Sequence, residues 1–254
     1  MKKNIKDLVK QYDKNGWTIV KNFFSEEQVV TYEKTCFEFL KKNFSKYSGR
    51  DINFSGEEKK FNCINSFHRA TDITIVKKLS KLSSTSNIIK KFLKKKPVFM
   101  NSEIFAKPPK TGLKSPAHQD NHYWAIGDNN ALTVWIAIDG STKKNGGVYY
   151  FNGSHKLGVL SHKPSFAKGS SQTVKNLKNL KKLKKFYPSL ERGDALIHHC
   201  CVVHGSEPNK SKKSRRGLTL QFKSLGSEIN KKLMGTYLKE LKQQIKFRKS
   251  NARV

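Results

Sequence analysis

Two histidines and one aspartate in the second half of the chain have the residue types and spacing of a metal site. One residue separates His118 from Asp120, so on an extended strand both side chains point to one side and Gln119 points to the other. His204 ends an apolar run far along the chain and is followed by a glycine. Two imidazoles and one carboxylate form the facial triad that holds Fe(II) and leaves positions open for a co-substrate and O₂. The pattern predicts iron ligands at these three positions, and we assign no separate catalytic acid or base.

An arginine lies a short way after His204 in the sequence. Arg215 lies eleven residues after His204, and a turn over residues 208–213 would place it on an antiparallel strand beside that histidine. A guanidinium there can bind a carboxylate through two parallel hydrogen bonds, and the Ser206 hydroxyl can add a third. The spacing therefore predicts a 2-oxo acid that chelates iron at one end and places its far carboxylate on Arg215.

Two other histidines are alternatives for the distal ligand. With His204 facing inward, even spacing puts His198 on the same face of the strand but about two strand pitches deeper, and His199 on the opposite face. We expect both to support the site or the core. Arg216 alternates with Arg215, so only one of the two arginines faces inward.

The remaining pattern describes the elements that must position these side chains. Helical spacing and a Ser25 N-cap predict helices over residues 4–15 and 25–44, with a short strand at 16–20 between them. The polar stretch 45–70 is typical of a loop, and 73–95 predicts one or two lysine-rich helices. Later runs of β-branched and aromatic residues, separated by Gly, Pro and Asn, predict strands in a sandwich or jelly-roll barrel. These strands are 98–100, 102–107, 132–138, 148–151, 195–203 and 218–222, followed by a basic helix at 227–248.

Charge and composition restrict the classes of protein that the chain can belong to. Its 254 residues carry 51 Lys+Arg against 19 Asp+Glu, a net charge of +32, but only 7 of the basic residues are arginine. Scarce arginine argues against a dedicated nucleic-acid binder, which uses arginine for bidentate contacts. Six lysines fall within residues 175–185, an insertion that is either plain surface or a lid that guides an anionic substrate.

The sequence shows neither a membrane span nor a secretory signal. Its longest apolar runs have the length of a strand, and the N-terminus has no apolar signal region. The four cysteines form no CxxC pair, which is typical of thiols in a reducing cytoplasm. We therefore expect a cytoplasmic protein with no membrane partner.

The order of these motifs resembles the phytanoyl-CoA dioxygenase family of Fe(II)/2-oxoglutarate oxygenases. The resemblance covers most of the chain and is specific because its segments occur together in this order. They are residues 12–25, 118–120 with 123–124, 132–139, 145–147, 153–156, 193–194, 204–206 with 208–209, and 215–216.

The resemblance implies a mainly β fold with flanking helices, built on a double-stranded β-helix (a jelly-roll, cupin-like core). It implies Fe(II) on His118, Asp120 and His204, with O₂ and 2-oxoglutarate as co-substrates. Arg215, helped by Ser206, would bind the distal carboxylate of 2-oxoglutarate. The chain would form a single oxygenase domain, in which residues 1–96 are mainly helical, residues 97–226 form the jelly-roll core and residues 227–254 form a basic C-terminal helix.

The resemblance also suggests residues that bind ligands. Trp135 and Gln119 match positions that line the co-substrate pocket in relatives. Trp124 matches a position near substrate in some small-molecule hydroxylases of the family, and Asn121 is a second substrate-binding candidate beside it. Lys107 shares a strand face with residues 103 and 105, and it is either a contact for co-substrate or substrate or a surface lysine.

Asp120 also bears on the type of reaction. Related halogenases have a small residue at this position, so the carboxylate favours hydroxylation, with release of succinate and CO₂. The lysine excess favours a small anionic substrate. Two alternatives remain: a basic protein that binds nucleic acid or another anion on the same scaffold, and an oxygenase that acts on a macromolecule. We do not expect a nucleic-acid partner, although the charge leaves one open.

Overall fold

The computed structural model describes residues 4–251. The α-helices are α1 (Ile5–Asn15), α2 (Glu26–Asn43), α3 (Thr74–Ser80), α4 (Ser83–Leu93), α5 (Asp120–Trp124) and α6 (Lys231–Asn251). The strands are β1 (Trp17–Val20), β2 (Ile52–Phe54), β3 (Ile64–Phe67), β4 (Pro97–Lys107), β5 (Ser115–His118), β6 (Ala131–Ala137), β7 (Val148–Phe151), β8 (His162–Pro164), β9 (Gln172–Val174), β10 (Lys185–Phe186), β11 (Ala195–His199), β12 (His204–Ser206) and β13 (Arg215–Ser224). The ends of the predicted N-terminal segment and of the predicted C-terminal helix, residues 1–3 and 252–254, lie outside the described residues.

Two antiparallel sheets make the core, as the jelly-roll prediction requires. The large sheet has the order β1-β11-β6-β13-β4-β3-β2, and the small sheet has the order β10-β7-β12-β5. A separate hairpin of β8 and β9 lies beside them. Side chains from both sheets line one cavity, which therefore lies between the sheets.

The central strands of the large sheet are buried on both faces. On β13, the even-numbered residues from Leu218 to Phe222 pack with α1–α4, whereas Thr219 and Gln221 line the cavity. On β6, Val134 packs with the helices and Trp135 lines the cavity. This period-two alternation explains why these strands are apolar on one face and carry polar or chemically reactive groups on the other.

The first two helices begin and end as the sequence predicts. The Ser25 side chain accepts a hydrogen bond from the Gln28 backbone N–H, and the Gln28 side chain accepts one from the Ser25 N–H, which is a capping box. Helix α1 ends at Gly16, whose φ of 82° is a left-handed conformation that suits glycine. The helices that pack on the sheet are thus determined locally.

Several predictions of strand content need correction. The strands expected at 98–100 and 102–107 form one strand, β4, and the sheet core expected to begin at residue 97 also includes β1, β2 and β3. The stretch 45–70, expected to be a loop, contains β2 and β3, which extend the large sheet at its edge. Residues 195–203, expected to be one strand, contain β11 of the large sheet and then a turn that leads to β12 of the small sheet. Apolar content alone did not show the turn, because its residues 200–203 are fully buried.

The lysine-rich segment 175–185 lies on the surface. Its six lysines are exposed, while Leu180 is buried and holds the segment against the protein. Within residues 4–251, no lysine lines the cavity between the sheets. No helix in this described stretch of the chain is long and apolar enough to cross a bilayer.

Gly217 on β13 is required by the indole of Trp135 on the neighbouring strand. A Cβ atom at this position would lie 2.0 Å from Trp135 Cζ2. We expect Gly217→Ala to lower the free energy of unfolding by about 1–3 kcal/mol, the usual cost of overpacking a filled core. Urea denaturation followed by circular dichroism measures this change.

Gly56→Ala is the matched control, because a Cβ atom there meets no atom within 4 Å. Equal stability of the two variants would show that Trp135 moves aside without cost.

Candidate active site

A cavity of about 440 Å³ lies between the two sheets. Its wall includes His118, Asp120 and His204 at the centre, Arg215 and Ser206, and aromatic side chains from several elements. This volume is typical of a small-molecule site. The predicted ligands of metal and co-substrate therefore share one cavity.

The two histidines and the aspartate converge from neighbouring elements. His118 ends β5 and His204 begins β12, and the two residues are direct partners across the antiparallel pair. Asp120 Oδ1 lies 3.8 Å from His118 Nε2 and 3.5 Å from His204 Nε2. Their ligand atoms all lie within 4.8 Å of one another, a spacing that suits one metal ion.

Asp120 reaches this position from a helix and not from the predicted strand. It is the first residue of α5, and the residue before it, Gln119, has extended backbone angles of φ −121° and ψ 135°. The extended geometry of Gln119 keeps the side chains of His118 and Asp120 on one side. His118 and Asp120 therefore share one side as the spacing predicts, but Asp120 belongs to helix α5 and not to a strand.

Backbone carbonyls fix the orientation of both imidazoles. His118 Nδ1 lies 2.7 Å from the Pro116 carbonyl oxygen, and His204 Nδ1 lies 3.1 Å from that of Val202. Each Nδ1–H donates to its carbonyl, so each Nε2 faces Asp120 as an acceptor, which is the usual arrangement of metal-binding histidines.

A second set of groups holds the carboxylate of Asp120 from the large sheet. Its Oδ2 accepts a hydrogen bond from Thr133 Oγ1 at 2.7 Å and lies 3.0 Å from His198 Nε2. His198 Nδ1 lies 2.9 Å from the Tyr150 hydroxyl. With Oδ2 engaged in this way, Oδ1 is left to face the two imidazoles.

Burial sets the charges that a metal site needs. It lowers the pKa of His118 to about 4, helped by the charge of His204. It also lowers the pKa of His204 to about 4, although the charge of Asp120 opposes this. Burial alone would raise the pKa of Asp120, but the charges that His204, His198 and His118 carry when protonated, together with the hydrogen bond from His198, hold it below its usual range. Neutral imidazoles and an ionised carboxylate are the forms that bind metal.

Arg215 is a buried cation with unused hydrogen-bond donors. It is 2% exposed, and its Nε and Nη1 have no hydrogen-bond partner among the described residues. Its guanidinium carbon lies 5.2 Å from the centre of the Trp135 ring, and burial lowers its pKa to about 10. A buried guanidinium without partners is costly unless an anion binds it, so this end of the cavity fits a carboxylate.

The sequence predicted that Arg215 lies on a strand beside His204, and this prediction is wrong. Arg215 begins β13 of the large sheet, whereas His204 and Ser206 belong to β12 of the small sheet. The two strands face each other across the cavity, so Arg215 and Ser206 still line the same space.

Two predicted site residues point away from the cavity. The Gln119 amide donates to the carbonyls of Gly158 and Cys201 and accepts from the Leu160 N–H, because extended backbone turns it opposite to His118 and Asp120. The Asn121 side chain joins Ile126 and Asn129 within its own turn. Both are fully buried, and their predicted contacts with co-substrate and substrate are corrected to structural roles.

Of the other three predicted site residues, two line the cavity and one does not. Trp135 and Trp124 line the cavity. Lys107 pairs with Arg215 across β4 and β13 but does not line the cavity, because its Nζ donates to the Glu207 carbonyl at 2.5 Å. Burial, and then the charge of Arg215, lowers the pKa of Lys107 to about 6. Lys107 is therefore neither a surface lysine nor a cavity contact.

Several residues of the cavity were missed in the sequence. Glu103 and Gln221 line it from the large sheet, and Tyr237 and Leu241 line it from α6, a helix expected only to be basic. For Glu103 the sequence signal is its spacing of two from residues 105 and 107, which places these residues on one face of β4. Contact of α6 with the cavity has no local signal in the sequence.

Comparison with known proteins identifies this arrangement. The family model "Phytanoyl-CoA dioxygenase (PhyH)" matches residues 12–217. The chain belongs to the phytanoyl-CoA dioxygenase family. Peroxisomal phytanoyl-CoA dioxygenase of Homo sapiens is 24% identical over 230 residues, covering 85% of this chain and 67% of the human protein. Phytanoyl-CoA dioxygenase 1 of Oryza sativa subsp. japonica is 25% identical over 242 residues, covering 82% and 85%.

Solved structures share the fold at lower identity. The non-heme alpha ketoglutarate dependent carbocyclase SnoK from nogalamycin biosynthesis has a TM-score of 0.72 and 20% identity, covering 89% of this chain and 86% of SnoK. EctD from S. alaskensis with 2-oxoglutarate and 5-hydroxyectoine has a TM-score of 0.72 and 18% identity, covering 87% and 77%. EctD is also known with bound Fe.

Family membership and the donor set agree on the chemistry. The chain is a non-haem iron, 2-oxoglutarate-dependent oxygenase, with Fe(II), 2-oxoglutarate and O₂ as its cofactor and co-substrates. The neutral imidazoles, the ionised carboxylate and the unpartnered guanidinium of Arg215 fit these groups.

The hydrogen bond from Thr133 to Asp120 can be tested directly. We expect Thr133→Val to weaken Fe(II) binding by about 10–100-fold, because such supporting bonds orient metal ligands. Anaerobic calorimetric titration with Fe(II) measures the affinity. Thr31→Val on the exposed face of α2 makes the same chemical change away from the cavity. Native-like Fe(II) affinity of Thr133→Val would mean that Thr133 does not hold the carboxylate.

Proposed function

We propose that this oxygenase hydroxylates a small organic molecule and binds Fe(II) through His118, Asp120 and His204. Arg215, with the Ser206 hydroxyl, binds the distal carboxylate of 2-oxoglutarate. The observation that carries the proposal is the buried Arg215, with two unpartnered nitrogens, in the same cavity as the three donors.

The protein's own groups position the reactants. Iron, when bound, supplies the activation of O₂ during which 2-oxoglutarate is converted to succinate and CO₂. Thr133 and His198 hold the carboxylate of Asp120, and two backbone carbonyls hold the imidazole rings. The walls of the cavity exclude bulk water from these groups, which strengthens each electrostatic contact.

Hydroxylation is the reaction that the ligand set favours. The carboxylate of Asp120 occupies the position that a halide would need, and its ionised form is suited to the metal. Proteins of this fold include one described as a carbocyclase and one described as an epimerase, so fold alone does not determine the product.

The cavity favours a small substrate over a macromolecule or nucleic acid. Its volume of about 440 Å³ suits one small molecule beside the co-substrate, and the exposed lysines of segment 175–185 lie elsewhere. The preference for an anion remains a prediction from the lysine excess. Among the described residues, two arginines line the cavity. Arg215 would bind 2-oxoglutarate, and Arg50 is exposed.

Two broader predictions accompany this function. We propose that residues 1–254 act as one oxygenase domain, which is supported by the three N-terminal strands β1, β2 and β3 that join the large sheet. Cytoplasmic localisation also remains a proposal. The four free cysteines agree with a reducing compartment.

The activity is tested by succinate formation. Native protein given Fe(II) and 2-oxoglutarate should form succinate in air, should lose this activity after dialysis against a chelator, and should regain it with Fe(II). His118→Ala and Asp120→Ala should each abolish it, because two of the three ligands cannot retain the metal in this geometry. Succinate formation by either variant at the native rate would refute the proposed site.

The role of Arg215 has its own measurement. Arg215→Gln removes a buried charge-assisted contact, so we expect the KM for 2-oxoglutarate to rise at least tenfold. A tenfold rise corresponds to a loss of about 1.4 kcal/mol of binding free energy. Arg69→Gln is the control, because Arg69 is exposed on the surface and does not line the cavity. An unchanged KM in Arg215→Gln would place the co-substrate carboxylate elsewhere.

A further inference from the structure

The inner face of the large sheet has different chemistry at its two ends. Along β13 the inward residues run from Arg215 through Gly217 and Thr219 to Gln221. Thr219 pairs with Glu103 on β4. Thr133, which holds the iron ligand Asp120, lies on β6, whereas Glu103 lies on β4, and β13 separates these two strands. Glu103 therefore lines the side of the cavity away from the strand that holds Asp120, and we assign this side to the substrate.

The carboxylate of Glu103 is held in place from two sides. Its Oε1 lies 2.5 Å from His68 Nδ1, and its Oε2 accepts a hydrogen bond from Gln221 Nε2 at 2.8 Å. Each carboxylate oxygen can accept more than one hydrogen bond, so both retain capacity toward the cavity. Glu103 is thus a fixed acceptor and not a mobile surface side chain.

The partner histidine adds no free donor to the cavity. His68 Nε2 lies 3.2 Å from both Ser66 Oγ and Asn53 Nδ2, so its second nitrogen is also engaged. Apart from the iron ligand Asp120, Glu103 is the carboxylate in the wall formed by the described residues. Burial disfavours protonation of His68, but the charge and the hydrogen bond of Glu103 raise the pKa of His68 overall, so the two form an ion pair when His68 is protonated. This end of the cavity therefore presents a hydrogen-bond acceptor whose charge is shared with His68.

Aromatic rings line the same cavity as this carboxylate. Tyr123 and Trp124 from α5 line the cavity with Tyr237 from α6, and the rings of Tyr123 and Tyr237 lie 5.4 Å apart. Aromatic faces attract cations, and a carboxylate in the same cavity can supply a charge-assisted hydrogen bond.

We propose that Glu103 binds a protonated amine of the substrate, so that the enzyme hydroxylates a small amine and not a simple anion. This inference deepens the proposed function and rests on it. His68 and Gln221 act as positioning residues that hold the carboxylate. The aromatic side chains of Tyr123, Trp124 and Tyr237 enclose the carbon skeleton and the charged nitrogen.

Binding of matched probes tests the inference on the native enzyme. The probes are 2-phenylethylamine, 2-phenylethanol and 3-phenylpropanoate, which share a ring and differ in the charge of the end group. Anaerobic titration of the protein loaded with Fe(II) and 2-oxoglutarate should show the amine binding at least tenfold more tightly than the alcohol, with the carboxylate weakest. An amine that binds no more tightly than the alcohol, or does not bind at all, overturns the inference. Tightest binding of 3-phenylpropanoate overturns it in favour of an anionic substrate.

A charge-removing variant then assigns the preference to one residue. In Glu103→Gln the preference for amine over alcohol should fall at least tenfold, while affinity for 2-oxoglutarate stays within about twofold of native, since Arg215 is untouched. Glu38→Gln on the exposed side of α2 is the matched control and should keep the preference. An unchanged preference in Glu103→Gln shows that another group binds the amine.

The two proposals fail in different ways. Absence of 2-oxoglutarate binding to native protein with Fe(II) would remove the proposed function itself. Normal 2-oxoglutarate binding without any amine preference would remove only the assignment of Glu103.

Discussion

The carboxylate of Asp120 joins the two sheets of this enzyme at the centre of its cavity. One oxygen is tied to Thr133 and His198 of the large sheet, and the other faces the imidazoles of His118 and His204 on the small sheet. The relative position of the sheets therefore determines the distances between the donors. Because both histidines are also held by carbonyls of their own segments, the donor set is organised by the fold before any metal binds.

This arrangement depends on strands that are buried on both faces. The outward residues of β6, β11 and β13 pack on helices α1–α4, and that packing supplies the apolar burial which stabilises the sheet. The inward residues are then free to carry polar groups such as Thr133, Thr219 and Gln221, which would weaken a purely apolar core. Stability and chemistry are thus separated onto the two faces of the same strands.

Much of the fold and the residue types of the site follow from sequence pattern. Short β-branched runs and the capping box at Ser25 predict the jelly roll and its second helix, and the order of His118, Asp120, His204 and Arg215 predicts which side chains meet. Strand neighbours were less predictable, because a buried turn after β11 sends the chain to the other sheet without a polar signal.

Adjacency in the chain does not by itself place residues in one site. Gln119 lies next to two site residues but faces the opposite side, where three backbone groups engage its amide. Conversely, Tyr237 lines the cavity from a helix more than one hundred residues away from Asp120. Contacts of this kind arise from the packing of whole helices and strands, and the local periodicity of the sequence does not predict them.

The C-terminal helix lines the cavity with Tyr237 and Leu241, and its Glu240 lies 2.9 Å from His122. The segment that matches the family model ends at residue 217, before this helix begins. The three metal-ligand candidates and part of the cavity wall therefore lie in separate stretches of one polypeptide. Substitutions in the terminal helix can change the shape of the cavity while His118, Asp120 and His204 stay in place.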